Sequence, residues 1–300
     1  MKNTVIGIFN VLLVLLAAPL LDGILRKVRA RIHSRQGPPV MQPYYDLAKL
    51  MVKEDQKGAN NFVFNAAPVA CFACILLAAL FVPMGGIVPL GFAGDILVLI
   101  YILTMAPICM CLGGMASGSP YAYIGVNREI MLLMVVEPVL AVALITTAIK
   151  AQSLVLVNCI DRYAAGLPDI SLIIGAIAFF LILQPEFGKV PFDLAEAEQE
   201  IMEGPLIEYS GRKLALLKWS MHSKQIVLIA LFVGAFFPWP KTGFLALDVL
   251  ITLIKILIGA VLVEVIAQVF ARLKINQAIR YFAIVIAVAL TGLVLAVMGL

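Results

Sequence analysis

The sequence predicts an all-α fold: a polytopic membrane bundle of about eight tilted transmembrane helices, forming a single integral membrane domain over 1–300. Three observations predict it. Mean hydropathy is +1.05 with only 13% charged residues, against about 25% in soluble domains. Apolar runs long enough to cross a bilayer recur from end to end. Lysine and arginine alternate between rich and poor loops along the chain.

Eight apolar segments read as spans, at about 4–25, 62–84, 95–115, 130–149, 169–184, 224–239, 249–271 and 280–299. Most reach the roughly twenty residues that cross about 30 Å of hydrocarbon. The first reads as a retained span. It is too long for a cleaved leader, one Lys precedes it, and its basic flank follows. The fifth and sixth are the shortest. Ile170–Gln184 reaches only about 22 Å at 1.5 Å per residue, and Gln225–Trp239 is no longer.

Cytoplasmic loops are expected at about 26–61, 116–129, 185–223 and 272–279. In and beside them stand 17 of the 22 basic side chains, including Arg26, Lys27, Arg29, Arg31 and Arg35. The other side holds Lys2, Lys150, Arg162 and Lys241. The positive-inside rule therefore places both termini outside a cell (inner) membrane and these loops in the cytoplasm. The net charge of +4 follows from loop asymmetry and does not indicate nucleic-acid binding.

One cytoplasmic loop is acidic. Glu186, Asp193, Glu196, Glu198, Glu200, Glu203 and Glu208 crowd into it, with Lys189 the only cation in that window. Asp193 followed by Glu196 has the spacing of a capping box. A helix from there to Gly204-Pro205 would put Asp193, Glu196, Glu200 and Glu203 on one face. Two readings stand side by side: a solvated acidic helix for a basic partner, or a carboxylate row lining a partly buried channel. In a channel, close carboxylates cannot all ionise, and some titrate near neutrality as a set. Two short flanking spans suggest a loop dipping into the thickness of the membrane.

Further ionisable residues lie in apolar surroundings: Glu129 and Glu137 in the fourth span, Lys255 and Glu264 in the seventh. Each costs about 2.5–3.5 kcal/mol at a helix centre on insertion scales, and such residues commonly mark an ion path. A structural ion pair between helices is the alternative. Lys255 and Glu264 are nine residues apart and point to opposite faces, and Gln268 lies one turn beyond Glu264. Asp22 and Asp95, at span ends, read as interfacial. The basic stretch Arg26–Pro39, turned at Gly37-Pro38, reads as a topology determinant, an anionic-lipid contact or a dock for an acidic partner. The five cysteines read as small buried residues, and no metal-ligand, phosphate-loop, dinucleotide or Ser-His-Asp pattern is present.

Together these motifs resemble a known family. "RARIHSRQGPP" is similar to the first cytoplasmic loop of the membrane subunit that carries the quinone chamber in respiratory complex I. "PEFGKVPFDLAEAEQEIMEGPLIEYSG" resembles that family's acidic loop, and "IGVNREIMLLMVVEP" its fourth helix. "SGSPYAYIGVNRE", "VEP" and "EGPLIEYSG" look more like the branch found in membrane-bound energy-converting [NiFe] hydrogenases and formate hydrogenlyase.

The resemblance implies a non-catalytic membrane subunit that couples electron transfer to proton or sodium translocation. Its implied partners are the hydrogenase large and small subunits, an iron–sulfur protein, an antiporter-like membrane subunit and the lipid bilayer. The implied [NiFe] centre and iron–sulfur clusters belong to those partners, with no cofactor on this chain. The resemblance places Glu137, Glu186, Asp193, Glu196 and Glu200 on the acidic path; the expected ion path adds Glu129, Glu203, Lys255 and Glu264, read from their own spacing and apolar settings. The resemblance also places Arg26, Arg31 and Arg35 in the docking loop, and the basic stretch adds Arg29, Gly37 and Pro38 to the expected docking region. Asn276 and Ala267 depart from the family pattern, with Glu264 one turn before the position usually acidic. The competing expectations are a quinone-chamber subunit of a complex I-type oxidoreductase and a stand-alone ion transporter.

Overall fold

The computed structural model describes residues 2–56, 58–59, 61–85, 88–164 and 169–299. Among them the regular structure is helical, in eleven α-helical segments: α1 (Lys2–Ile32), α2 (Gln42–Val52), α3 (Phe62–Phe81), α4 (Asp95–Ala116), α5 (Pro120–Ala151), α6 (Leu156–Ala164), α7 (Ile170–Glu186), α8 (Glu198–Ile201), α9 (Gly211–Phe236), α10 (Leu245–Val269) and α11 (Ile275–Met298). Seven are long and apolar enough to cross a membrane, and α7 is a shorter apolar helix of 17 residues. In hydrocarbon only a helix satisfies its own backbone groups, so each apolar run becomes one. Local chemistry marks the ends. Asn61 accepts a hydrogen bond from the Val63 N–H at the start of α3, α2 and α5 carry proline in their first turn, and α11 ends on left-handed Gly299.

The central element is α9. Residues 225–233 are all buried, and α1, α3, α7 and α10 all pack against it. α5 lies beside α4, α7 and α11. Leu12, Leu16, Ile254, Ile258 and Val294 stay exposed on the outer faces, as expected for surfaces that meet lipid.

Three expectations fail here. The sixth span is not short: α9 begins at Gly211 and runs for 26 residues. Its first turns carry Arg212, Lys213, Lys218 and Lys224, which hydropathy excludes although protein covers much of them. The capping-box helix over 193–203 is absent. Phe192, Leu194, Ala195 and Ala197 are all buried, and the chain there runs through turns and bends, which bury these side chains in several directions as a one-faced helix could not. A single turn, α8, follows before Met202 and Glu203 enter the left-handed region at φ 50° and 68°. A 3-10 turn over Gly204–Leu206 completes the loop. Asp95 is buried, not interfacial; its Oδ1 accepts the Leu156 N–H at 2.8 Å and ties α4 to α6.

Candidate functional site

Three helices, α5, α7 and α9, converge below the acidic loop. Glu129 and Glu137 stand eight residues apart on α5, so both lie toward one side of that helix. Glu186 is the last residue of α7 and is buried. Lys224 of α9 reaches it, with Nζ 2.7 Å from Glu186 Oε2. The loop supplies Asp193 and Glu196. These side chains, except Glu137, line a cavity of about 50 Å³ together with Ser220 and Met110. A second void of about 10 Å³ touches Glu129, Glu186 and Lys224 and continues along α5 to Val136, next to Glu137. Roughly 10–15 Å³ holds one water, so the larger space suits a short hydrogen-bonded chain.

The buried polar atoms there are not all spoken for. Glu137 Oε2 and Glu186 Oε1 have no hydrogen-bond partner among the described residues. One ammonium faces several carboxylates, and like charges in one enclosed site cannot all ionise. The loop carboxyl of Glu196 is pushed up to about 8, first by burial and then by the negative charges of Glu129, Asp193 and Glu203. It can hold or release a proton near neutral pH. Asp193 is held differently, by Arg272 Nη2 at 2.5 Å, and the Leu273 N–H donates to Pro191 O at 3.1 Å. The loop is thereby fastened to the α10–α11 connection.

A second cluster stands beside the first. Glu264 of α10 is fully buried. It accepts Arg29 Nε at 2.7 Å, Lys189 Nζ at 2.5 Å and Gln268 Nε2 at 2.9 Å. Burial pushes the Lys189 ammonium down and the Glu264 charge pushes it back. His33 meets Gln268 at 2.7 Å. Arg26 bridges Asp22 at 2.7 Å and Asp46 at 3.1 Å, and His222 lies 3.8 Å from Asp22. This network locks α1, α10 and the acidic loop together.

The expected site residues therefore divide. Glu129, Glu137, Glu186, Asp193 and Glu196 come together. Glu200 does not: its side chain is 56% exposed and pairs with Arg128 at 2.7 Å, which holds its carboxyl below the usual range. Glu203 sits on the rim, 3.6 Å from Lys218. Glu264 belongs to the ion-pair network. Lys255 lies at the opposite end of the bundle and donates to the Phe237 carbonyl. As its nine-residue spacing from Glu264 implies, the two do not pair. Of the expected docking residues, Arg26 and Arg29 are engaged internally, whereas Arg31, Arg35 and Gly37 are exposed with Pro38 half-buried beside them. Gly37 turns the chain at φ 57°.

Three residues of the arrangement escape sequence reasoning: Lys224, Lys189 and Arg272. All three read as topology charges by composition. The available signal is position, since Lys224 abuts the apolar run from Gln225 and Lys189 lies inside the acidic block.

A family profile described as "NADH dehydrogenase" matches residues 4–297. The chain belongs to that family. Within it, the chain is 36% identical over 278 residues to formate hydrogenlyase subunit 4 of Escherichia coli (strain K12), covering 90% of this chain and 91% of that one. It is 35% identical to hydrogenase-4 component C of the same organism, covering 89% and 88%. Identity to a NADH-quinone oxidoreductase subunit of Anaplasma marginale (strain St. Maries) is 29%, over 74% and 71%. Among solved structures, a chain of the membrane-bound sulfane sulfur reductase, an archaeal respiratory membrane complex, superposes with a TM-score of 0.90 at 25% identity, covering 99% and 100%. The chain is thus a multi-pass membrane protein, a membrane subunit of an energy-converting complex with further subunits as partners.

Proposed function

We propose that this chain is the membrane subunit of a membrane-bound [NiFe] hydrogenase-type complex, converting electron transfer in a docked soluble arm into proton or sodium movement. The observation that carries the proposal is the carboxylate set that runs from Glu196 in the loop, past Glu129 and Glu186–Lys224, as far as Val136 beside Glu137 on α5. A charge arriving above the loop changes proton affinity at Glu196 and repartitions protons along the set towards Glu137 and an adjoining antiporter-like subunit. Moving one charge across 100 mV takes about 2.3 kcal/mol, and one pKa unit is about 1.4 kcal/mol, so shifts of about two units suffice.

The hydrogenase branch is favoured by the two Escherichia coli relatives, which match over nearly their full lengths. Electron carriers are assigned to the partners: the hydrogenase large and small subunits and an iron–sulfur protein. Among the described residues no three His, Cys, Asp or Glu side chains converge as a ligand set, and Cys71 is engaged with Ser220 at 3.3 Å. Exposed Arg31 and Arg35 offer a cationic contact for the arm, with the acidic loop on the cytoplasmic side.

Isolation of the native assembly in mild detergent tests the assignment, with nickel analysis and assays of hydrogen evolution and quinone reduction. Nickel and hydrogen turnover are expected. Quinone reduction without nickel would transfer the chain to the quinone-chamber reading that its NADH-quinone oxidoreductase relatives represent. Glu137→Gln and Glu196→Gln are expected to leave the complex assembled and redox-active while ion movement into vesicles fails. Normal ion-to-electron ratios in both variants would remove these carboxylates from the path.

A further inference from the structure

At the end of the bundle away from the acidic loop, one face of α10 carries an ordered series of chemistry. Asp248, Thr252, Lys255, Gly259 and Leu262 are spaced by four, three, four and three residues, so they share a face. The first three border an open vestibule of about 240 Å³ beside the 237–243 connection, its charged groups being Lys241, Asp248 and Lys255. The last three border an apolar groove of about 590 Å³, whose other walls include Ile177 of α7 and Phe232 of α9. Lys255 lines both spaces. The groove exists because α7 and α10 each pack on α9 and scarcely touch each other. It opens outward past Ile177, Ile258 and Leu262, all exposed, and Trp239 stands at its rim.

Charge runs in a definite order along this face. Lys255 donates to the Phe237 carbonyl at 2.8 Å and has no carboxylate partner among the described residues. The other vestibule ammonium, Lys241, is neutralised by Asp161 at 2.5 Å. Asp248 lies seven residues nearer the helix start, about 10 Å by the helical rise. Lysine side chains lean back toward that start, which shortens the gap. Asp248 Oδ1 takes the Thr242 N–H at 2.9 Å and the Thr242 hydroxyl at 2.7 Å. Thus an unneutralised cation stands where the groove meets the vestibule, and a carboxylate stands farther out.

We infer that this face binds a zwitterionic aminophospholipid, with an acyl chain in the groove, the phosphate on Lys255 and the primary ammonium on Asp248. The order of apolar wall, cation and carboxylate is the order of chain, phosphate and amine in that lipid. A purely anionic headgroup brings no cation to Asp248. A choline headgroup brings no N–H donor. Inorganic phosphate gains nothing from the groove.

Native mass spectrometry of the purified full-length chain in detergent tests this. The probes are phosphatidylethanolamine, phosphatidylglycerol and phosphatidylcholine with matched acyl chains, and inorganic phosphate. Phosphatidylethanolamine is expected to be retained preferentially. Lys255→Met should weaken all three lipids about tenfold, the value of one charge-assisted hydrogen bond. Asp248→Asn should abolish only the preference for ethanolamine. Leu262→Trp, at a position 50% exposed, should reduce lipid retention without lowering the unfolding temperature, and so decides the matter if Lys255→Met fails to fold. Equal retention of all three lipids, phosphate binding as strong as lipid binding, or unchanged retention in Leu262→Trp overturns the inference. So does loss of the lipid from the intact complex, which would give the groove to a helix of another subunit.

Discussion

Glu196 and Lys224 show how single side chains set the character of the buried site. Among the described residues Lys224 supplies the only ammonium on the cavity of about 50 Å³, and Glu196 is the loop carboxyl whose proton affinity has been raised. The unfolded Glu196 carboxyl ionises near 4.5 and the folded one near 8. Between those values the folded chain keeps a proton that the unfolded chain has lost. Stability therefore falls as pH rises through that window and levels off above it. Glu196→Gln is expected to remove a slope of up to about 1.4 kcal/mol per pH unit. Thermal unfolding in detergent at pH 5 and pH 8.5 checks this: the variant should gain on the parent at the higher pH. A difference that stays constant with pH would count against a neutral Glu196. At this scale the sequence was half legible. A carboxylate inside an apolar run stands out, which exposed Glu129, Glu137 and Glu264. Their counter-ions did not stand out as such: Lys224 and Arg29 look like any positive flank until the fold turns them inward, and nothing local pairs Lys189 of the acidic block with Glu264 of a distant helix.

Among the elements, the loop between α7 and α9 departs furthest from its local pattern. Asp193 and Glu196 have capping-box spacing, yet Asp193 is taken by Arg272 and the backbone turns and bends so that Phe192, Leu194 and Ala195 are buried. Tertiary contacts outweigh a motif worth about 1 kcal/mol. The helices were legible because lipid enforces them; their ends were not, because polar first turns packed against protein carry no hydropathy signal. The seat of this loop on α5 depends on Gly125. A Cβ there would lie 2.8 Å from Gly204 Cα and Pro205 Cδ and 3.0 Å from Ala195 O. Gly125→Val is therefore expected to cost about 1–3 kcal/mol and to open the 195–205 segment to protease. Gly91→Ala is the control, since its Cβ would meet only Val157 Cγ2 at 3.7 Å. Equal proteolysis of the two variants would show that the loop is not seated there.

For the whole molecule, charge distribution and membrane crossing are one problem. If α7 crosses together with the seven long helices, the number of crossings is even and both termini are expected on one side, which the basic loops predict to be the exterior. A C-terminal alkaline phosphatase fusion is expected to be active and a fluorescent-protein fusion at the same point dark. The reverse pattern would invert the membrane assignment and put the acidic loop outside. The membrane-crossing helices were legible at this level, since span number depends on summed composition and survives errors of several residues at any helix end.

The brevity of α7 has an electrical consequence. Its 17 residues cover about 25 Å at 1.5 Å per residue, less than the usual 30 Å of hydrocarbon, and its last residue is Glu186. Where the bilayer thins to match α7, the voltage gradient is steeper. A charge relayed between Glu186 and Glu137 would then sample a larger fraction of the total potential per ångström travelled than it would beside any of the longer helices.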